Sequence, residues 1–269
     1  MGYTLKKSVV IEGIGIHSGQ KVRATFVPSL KGGIQFKVGE VLVALKLKNI
    51  KPINLGTNLV DKNIIIKTIE HLMAVLWYLQ ITDLIIEIVG EEIPIADGSG
   101  LQILNALKDA GLKKTPSIAK SLIISKPFFF TYKDTFFFAL PAKELQINYT
   151  INFPLNPIKG QNFNFAKRQQ FVTDILSART FGNIEDVEKL HSVGKALGAT
   201  LENALVYNSQ EFVNTPRYEN EPVRHKILDL LGDLYTSGYF IKGKIYAYKT
   251  SHLLNNKIVK KLLKQFAIQ

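Results

Sequence analysis

The sequence contains no cysteine among its 269 residues. Disulfides, thiolate metal sites and a cysteine nucleophile are therefore excluded, and a metal site must be built from His, Asp or Glu. Long apolar runs are also missing, since the most apolar segment, 128–140, is interrupted by Lys133 and Asp134 and falls short of the roughly 18 residues of a membrane span. The N-terminus has neither the apolar block nor the cleavage site of a secretion signal. We therefore expect a cytoplasmic protein.

Arginine is scarce. The formal net charge of +12 invites a nucleic-acid partner, yet arginine is the side chain best suited to phosphates and base edges. Only five of the 34 basic residues are arginine: Arg23, Arg168, Arg179, Arg217 and Arg224. The scattered lysines favour a solvated surface whose positive field helps to recruit an anionic small molecule. A basic nucleic-acid-binding protein without catalysis is the alternative.

The two halves of the chain show a similar order of elements. Hydrophobic residues make up 46% of the chain, which is typical of a globular protein with a core. In each half, short strands with Gly and Pro punctuation come first and amphipathic segments follow. The pattern predicts helices at about 67–79, 100–110, 171–178, 184–196, 222–237 and 253–266. It indicates two α+β domains, 1–115 and 118–269, with a polar linker at KKTPS, 113–117.

Glu70 and His71 are adjacent near the start of the predicted helix 67–79. Neighbouring helical residues point about 100° apart, so both side chains can border one cleft at the edge of the helix. A lone Glu-His pair is weak support for a site, because an exposed pair beside an apolar stripe looks the same in sequence.

A second constellation lies in RHKILDLLGD, 224–233. His225, Asp229 and Asp233 are spaced at i, i+4 and i+8 and therefore lie on one face of a helix that is otherwise largely apolar. Buried carboxylates must be paired or bound to metal. An imidazole and a carboxylate four residues apart can supply two ligands to one zinc ion. The alternative is a His-Asp salt bridge on a packed helix.

His252 follows a strand and precedes the last predicted helix. In this position a histidine can cap the helix or face solvent, and alone it favours no role. The two other histidines are His17 and His191.

Six segments together resemble the UDP-3-O-acyl-N-acetylglucosamine deacetylases. They occur in that family's order and span almost the whole chain: GIGIHSG (13–19), TIEHL (68–72), EIPIADGSG (92–100), ARTFG (178–182), VRHKILDLLGDLY (223–235) and AYKTSHLLNNK (247–257). The resemblance implies two α+β domains, each with a mainly antiparallel sheet and two helices, and helix layers packed between the sheets. It also implies an active site at the junction of the domains.

The resemblance implies one zinc ion per chain, held by His71, His225 and Asp229. Glu70 matches the family's general base, and His252 matches its acid-acting histidine. The implied reaction removes the N-acetyl group of UDP-3-O-(3-hydroxyacyl)-N-acetylglucosamine and releases acetate, the committed step of lipid A biosynthesis.

Further roles follow from the same motifs. Asp233 matches the carboxylate that orients the acid-acting histidine, and Thr180 matches the hydroxyl that assists the oxyanion. Lys226 matches a nearby cation, Phe181 an aromatic residue near the sugar, and His17 a histidine of less defined role.

The segment at about 183–206 corresponds to the family's insertion, which forms a passage for the acyl chain. Within it, Val187 lies on the apolar stripe of the predicted helix 184–196, so we expect it to contact the chain. Docking of this helix on its own sheet is the alternative. The motifs depart from the family at Ser251 and Ala199, where the family has glycine, and this leaves the geometry of both loops open.

The implied partner is a small molecule, the acylated UDP-sugar, and not a nucleic acid. We expect a monomer without an integral membrane segment, although loose proximity to a membrane surface stays open. A zinc amidohydrolase acting on another acetamido sugar is the alternative function, since it would share every catalytic residue.

Overall fold

The chain folds into two halves with the same strand order, each made of a mainly antiparallel sheet and helices. The computed structural model describes residues 1–53, 55–153 and 157–267. The N-terminal half contains β1 (Gly2–Leu5), β2 (Val9–Ile14), β3 (Lys21–Pro28), β4 (Gly33–Val38), β5 (Val41–Ala44), β6 (Ile50–Ile53), β7 (Gly56–Asp61), β8 (Ile64–Ile66), α1 (Glu70–Leu79), β9 (Asp83–Val89), α2 (Leu101–Asp109) and β10 (Leu112–Thr115).

The C-terminal half repeats this plan with a longer segment before its first long helix. It contains β11 (Ser121–Ile123), β12 (Phe128–Tyr132), β13 (Thr135–Leu140), β14 (Leu145–Asn152), β15 (Gly160–Phe165), β16 (Phe181–Asn183), α3 (Val187–Ser192), β17 (Leu205–Tyr207), α4 (Glu221–Tyr235), β18 (Phe240–Tyr248) and α5 (His252–Phe266).

The two main sheets have the same topology. The N-terminal sheet has the order β2-β3-β9-β4-β5, and the C-terminal sheet has the order β12-β13-β18-β14-β15, with β11 also paired to β18. In each sheet the strand that comes last in the sequence, β9 or β18, lies in the centre, antiparallel to the second strand and parallel to the third. The predicted α+β class with mainly antiparallel sheets is therefore confirmed.

The helices lie between the two sheets and join the halves. Helix α2 contacts β2, α4 contacts β14, β15 and β18, and α1 packs directly on α4. Every residue of α1 except Tyr78 is buried, as expected of a helix that is apolar on nearly all sides. A methyl group added at Gly232 of α4 would lie 1.9 Å from the carbonyl oxygen of Glu70. Glycine at this position therefore permits the close approach of the helices that carry the candidate site.

Several predicted elements are shorter than the pattern suggested. The segment 171–178 contains only a π-helical turn, Phe171–Ile175. The predicted helix 184–196 is a 3₁₀ turn, Ile184–Asp186, followed by α3. Part of the predicted linker 113–117 is strand β10, which pairs with β1 from Gly2↔Thr115 to Leu5↔Leu112. Pairing with the N-terminal strand outweighs the polar composition of KKTPS. The domain boundary between 115 and 118 stays a prediction.

The segment between β5 and α1 forms a separate three-stranded sheet, β6-β7-β8, which the sequence reading did not identify. Its short strands contain proline at Pro52 and end in polar turns, so their alternation is weak. This sheet is important because β7 borders the candidate site. Among the described residues, no helix is long and apolar enough to cross a membrane.

Candidate active site

The first turn of α1 is held by a bend at Thr68. The backbone of Thr68 is left-handed, with φ of 58°. Its amide donates to Asn58 Oδ1 at 3.2 Å, and its hydroxyl donates to the buried carboxylate of Glu92 at 2.9 Å. Glu70 and His71 follow at the start of the helix, both buried. Glu70 Oε2 accepts a hydrogen bond from the amide of Thr57 at 2.9 Å, so β7 orients this carboxylate.

The start of α4 is anchored by a buried ion pair. Arg179 Nε lies 2.9 Å from Glu221 Oε1, and the Arg179 amide donates to the same oxygen at 2.8 Å. This pair ties ARTFG to the first residue of the helix. One turn later, His225 Nδ1 donates to the carbonyl oxygen of Ala178 at 3.1 Å. The bond fixes the tautomer that leaves the lone pair of His225 Nε2 facing the cavity.

Three donor atoms from the two helices converge. His71 Nε2 and His225 Nε2 lie 3.5 Å and 3.3 Å from Asp229 Oδ1, and the three ligand atoms lie within 4.8 Å of one another. Asp229 Oδ1 is buried and has no hydrogen-bond partner among the described residues. A buried oxygen without a partner is costly, and a divalent cation held by all three groups would compensate it. The chemistry of this donor set fits zinc.

Protonation states agree with a metal-binding role. Burial lowers the pKa of His225 to about 4, so the imidazole is neutral at pH 7 and its lone pair is available. Burial acts to raise the pKa of Asp229, but His225 and Lys226 outweigh it and hold that pKa well below its usual range. Lys226 Nζ lies 2.6 Å from Asp229 Oδ2. Burial alone would lower the pKa of Lys226, but the Asp229 carboxylate raises it above its usual value, so the side chain stays a charged ammonium.

His252 is paired with Asp233. Its Nδ1 lies 2.9 Å from Asp233 Oδ2. Burial alone would lower the pKa of His252, but the carboxylates of Asp233 and Glu70 raise it to about 9. The imidazole is therefore protonated at neutral pH and can donate a proton from Nε2. That nitrogen lies 3.9 Å from Glu70 Oε1 and 3.8 Å from Asp229 Oδ2, on the cavity side.

Glu70 lies in surroundings that make its carboxylate more basic. Burial raises the pKa of its carboxyl, with smaller opposing effects from His252 and His71. A carboxylate with a raised pKa is a better proton acceptor than an exposed one.

These groups line one cavity of about 440 Å³. Its polar part is formed by His71, His225, Asp229, Glu70, His252, Lys226, Thr180 and His17, and Phe181 lines the cavity beside them. The Phe181 ring stands edge-on to His225, with ring centroids 6.0 Å apart. Asp233 is not among the lining residues and reaches the cavity through His252. The structure thus brings nine of the predicted residues to one surface and places a tenth behind it.

The apolar part of the cavity comes from both halves. It is lined by Ile16, Ile95, Leu190, Ala196, Ala199 and Ala204. Val187 is not among the described residues that line it, and Leu190, one turn further along α3, takes that place. The insertion 183–206 docks on the N-terminal half, since the amide of Gly198 donates to the Ile16 carbonyl oxygen at 3.0 Å. The passage for an acyl chain stays a prediction; of the side chains on α3, Leu190 and not Val187 lines the cavity.

The two departures from the family motifs do not strain the backbone. Ser251 has φ of −133°, an extended conformation that any residue adopts. Ala199 is absent from the residues with positive φ in the described chain, and its methyl group lines the cavity. Neither position requires glycine here.

Two residues that sequence reasoning missed complete the His252 environment. The hydroxyl of Thr57 donates to Asp233 Oδ1, and Asn255 Nδ2 donates to Asp233 Oδ2 at 2.7 Å. Asn255 lies three residues after His252, a spacing that puts both on one helix face and could have indicated it. Thr57 carried no signal in sequence, because its strand was not recognised.

Comparison with known proteins agrees with this site. The family model of the UDP-3-O-acyl N-acetylglycosamine deacetylases matches residues 2–264. A curated UDP-3-O-acyl-N-acetylglucosamine deacetylase of Synechocystis sp. is 36% identical over 273 aligned positions, covering 97% of this chain and 98% of the relative. Because the match runs from β1 into the last turn of α5 and includes every segment around the cavity, this chain belongs to the UDP-3-O-acyl-N-acetylglucosamine deacetylase family.

Proposed function

We propose that this protein removes the N-acetyl group of UDP-3-O-(3-hydroxyacyl)-N-acetylglucosamine by zinc-dependent hydrolysis, the committed step of lipid A biosynthesis. The observation that carries the proposal is the single cavity in which Glu70, His252 and the three-donor group meet. Family membership over nearly the whole length supports the substrate class.

His71, His225 and Asp229 would hold one zinc ion. The two imidazoles and the carboxylate whose Oδ1 lacks a hydrogen bond supply three ligands, which is the number found in open catalytic sites. Zinc in such a site polarises a carbonyl group and lowers the pKa of a bound water molecule toward neutrality. The Lys226 ammonium holds Asp229 Oδ2 and so fixes the orientation of this carboxylate.

Glu70 would accept the proton of the water that attacks the acetyl carbon. Its raised pKa and its bond to the Thr57 amide keep the carboxylate basic and oriented. General-base assistance of this kind is worth roughly 10²–10⁴ in rate.

His252 would protonate the departing nitrogen. Its raised pKa keeps the imidazolium charged at neutral pH, and Asp233 holds its Nδ1 so that Nε2 faces the cavity. The Thr180 hydroxyl and the Lys226 ammonium line the same cavity and would stabilise the oxyanion. Loss of one such donor typically costs about 3 kcal/mol of transition-state stabilisation.

The apolar part of the cavity would hold the acyl chain. Leu190 of the insertion and Ile16 and Ile95 of the N-terminal half present hydrocarbon surface next to the polar part. Each methylene buried there contributes about 0.8 kcal/mol to binding. Phe181 and His17 would then contact the sugar. A cytoplasmic, monomeric enzyme stays our expectation.

Acetate release from the authentic sugar nucleotide, with and without its 3-O-acyl group, tests the proposal. We expect the acylated substrate to be turned over with an efficiency higher by orders of magnitude. Equal turnover of both, or preference for a free acetamido sugar, would support the alternative amidohydrolase instead.

A further inference from the structure

The outer face of the C-terminal sheet exposes a cluster of aromatic rings. We define the aromatic face as Phe129, Phe136, Phe138, Tyr246 and Tyr248. Along β12, β13 and β18 these side chains alternate with buried residues and point away from the helices. Phe136 stacks on Tyr248 with ring centroids 5.2 Å apart, and Phe138 lies 6.3 Å from both Phe129 and Tyr246. The rings form one continuous patch across three strands.

The aromatic face is open to solvent. Phe129 is 63% exposed and Phe136 is 40% exposed. A shallow depression of about 790 Å³ lies over Phe129, Phe136, Phe138 and Tyr246. Soluble proteins rarely leave a contiguous apolar surface of this kind exposed unless it binds something.

Lysines adjoin this patch along the edge strand β12. Helix α5 contains four exposed lysines and no acidic residue, and we define its lysine face as Lys257, Lys260, Lys261 and Lys264. Lys257 Nζ lies 5.2 Å from the centroid of the Tyr132 ring, and Lys261 Nζ lies 5.4 Å from that of Phe130. Both rings lie on the helix side of β12, opposite to the aromatic face. Around the edge of this strand, Lys261 and Lys264 line one depression together with Phe129, so the lysine face borders the aromatic face there.

The equivalent face of the N-terminal sheet is different. There, ion pairs link neighbouring strands beside the exposed side chains of Val10 and Val89: Lys37 pairs with Glu87 at 3.4 Å, and Arg23 pairs with Glu12 at 3.6 Å. Charges of both signs keep that surface in water. On the C-terminal sheet, rings cover the strands and the ion pair of Asp134 with Lys249 lies at their ends. The charge left uncompensated beside the rings is positive. The sheets share a topology, so this difference is a property of the side chains and not of the fold.

We propose that the aromatic face and the lysine face together form a docking surface for an anionic lipid bilayer. Aromatic rings reside favourably at the level of the headgroups, and lysines beside them are attracted to anionic lipids. The sign of the charge selects an anionic surface. This docking is separate from the deacetylation chemistry and does not depend on it.

Flotation of the full-length protein with vesicles tests the proposal. At physiological salt, we expect binding to vesicles of phosphatidylglycerol and phosphatidylethanolamine and none to phosphatidylcholine alone. The double variant Lys257→Gln/Lys261→Gln should lower the partition coefficient by roughly 30-fold, since each lysine near an anionic surface is worth about fivefold. The matched control Lys113→Gln/Lys114→Gln removes two exposed lysines from β10 and should bind nearly as well as the wild type.

The aromatic contribution is tested separately with Phe129→Ser/Phe136→Ser, for which Val41→Ser/Leu42→Ser on the N-terminal sheet is the matched control. Absence of binding to the anionic vesicles, or equal losses in variants and controls, would overturn the proposal. Two other results would also overturn it: tighter binding to oligothymidylate than to vesicles, or a wild-type dimer in sedimentation that the Phe variant abolishes. Thermal unfolding establishes whether each variant is folded. If the Phe variant does not fold, the result with the Lys257→Gln/Lys261→Gln variant decides between docking and no docking.

Discussion

The two halves share a sheet topology but differ in what lies between the fourth strand of the sheet and the first long helix. In the N-terminal half, this position holds the three-stranded sheet β6-β7-β8. In the C-terminal half, it holds ARTFG and the insertion with β16, α3 and β17. Both segments border the cavity, through Thr68 and Gly56 on one side and Thr180 and Leu190 on the other. The repeated scaffold brings two helices together, and the two unlike segments complete the site.

The helices also differ in what they contribute. Helix α1 carries the proposed base and one proposed metal ligand in its first turn, whereas α4 carries the two other proposed ligands and Asp233 over about two turns. Neither half holds the complete donor group. The proposed catalytic site therefore depends on the α1–α4 contact that Gly232 permits.

The largest effect should come from removing a ligand that only one half supplies. We expect Asp229→Ala and His225→Ala to lose metal affinity together with activity, because two ligands remain where three are needed. Elemental analysis of desalted protein measures the metal, and chelation followed by zinc addition should abolish and restore activity in the wild type. Active wild-type protein that contains no divalent metal would contradict the assignment.

Glu70→Gln should separate the base from the ligand set. The amide has nearly the same shape and can still contact the Thr57 backbone, so metal content should be retained. Turnover should fall by roughly 10²–10⁴, the usual value of general-base assistance. Near-full activity in this variant would remove Glu70 from the mechanism.

The pair His252–Asp233 predicts the alkaline limb of the pH profile. The folded pKa of His252 is raised to about 9, so the acid form is present at neutral pH and the rate should fall as pH rises through about 9. The raised pKa of His252 also stabilises the folded state at pH values below about 6.5, the pKa of an unfolded histidine. This contribution to stability is lost as the pH rises from about 6.5 to about 9. Asp233→Asn should move the alkaline limb to lower pH. An unchanged limb would show that another group controls it.

Much of this architecture could be predicted from the chain, and the failures have a physical cause. The spacing of His225, Asp229 and Asp233 defines a helix face by local geometry alone, and the strand-first order of each half predicted the α+β class. The roles of Thr57 and Glu92 could not be predicted, because their contacts form only in the folded chain. Thr57 binds Asp233, 176 positions away, and Glu92 binds Thr68, 24 positions away. The close approach at Gly232 depends equally on tertiary packing.

The insertion gives a prediction in which neighbouring side chains should behave differently. Leu190→Trp fills the apolar part of the cavity and should lower kcat/KM for long acyl chains more than for short ones, by about fourfold for each methylene that is excluded. Val187→Trp, on the same helix but away from the lining, is the matched control and should discriminate less. If Val187→Trp were the more selective variant, the sequence-based assignment of Val187 would be right and the contact at Leu190 wrong.

The smallest effect should come from Thr57, a residue of β7 in the N-terminal half whose side chain contacts the His252–Asp233 pair of the C-terminal half. Its hydroxyl donates to Asp233 Oδ1 and lies 3.3 Å from His252 Nδ1, so it is a positioning residue that acts through Asp233. Thr57→Val keeps the shape and the amide that binds Glu70 but removes one hydrogen bond to a carboxylate, worth about 1.5 kcal/mol or tenfold in rate. Without this donor, Asp233 is a stronger acceptor for His252, which raises the pKa of the imidazolium and makes it a weaker acid. We therefore expect kcat to fall and the alkaline limb of the pH profile to move to higher pH. Thr25→Val, on β3 away from the cavity, is the control. A lower melting temperature with kcat and the alkaline limb unchanged would assign Thr57 a purely structural role.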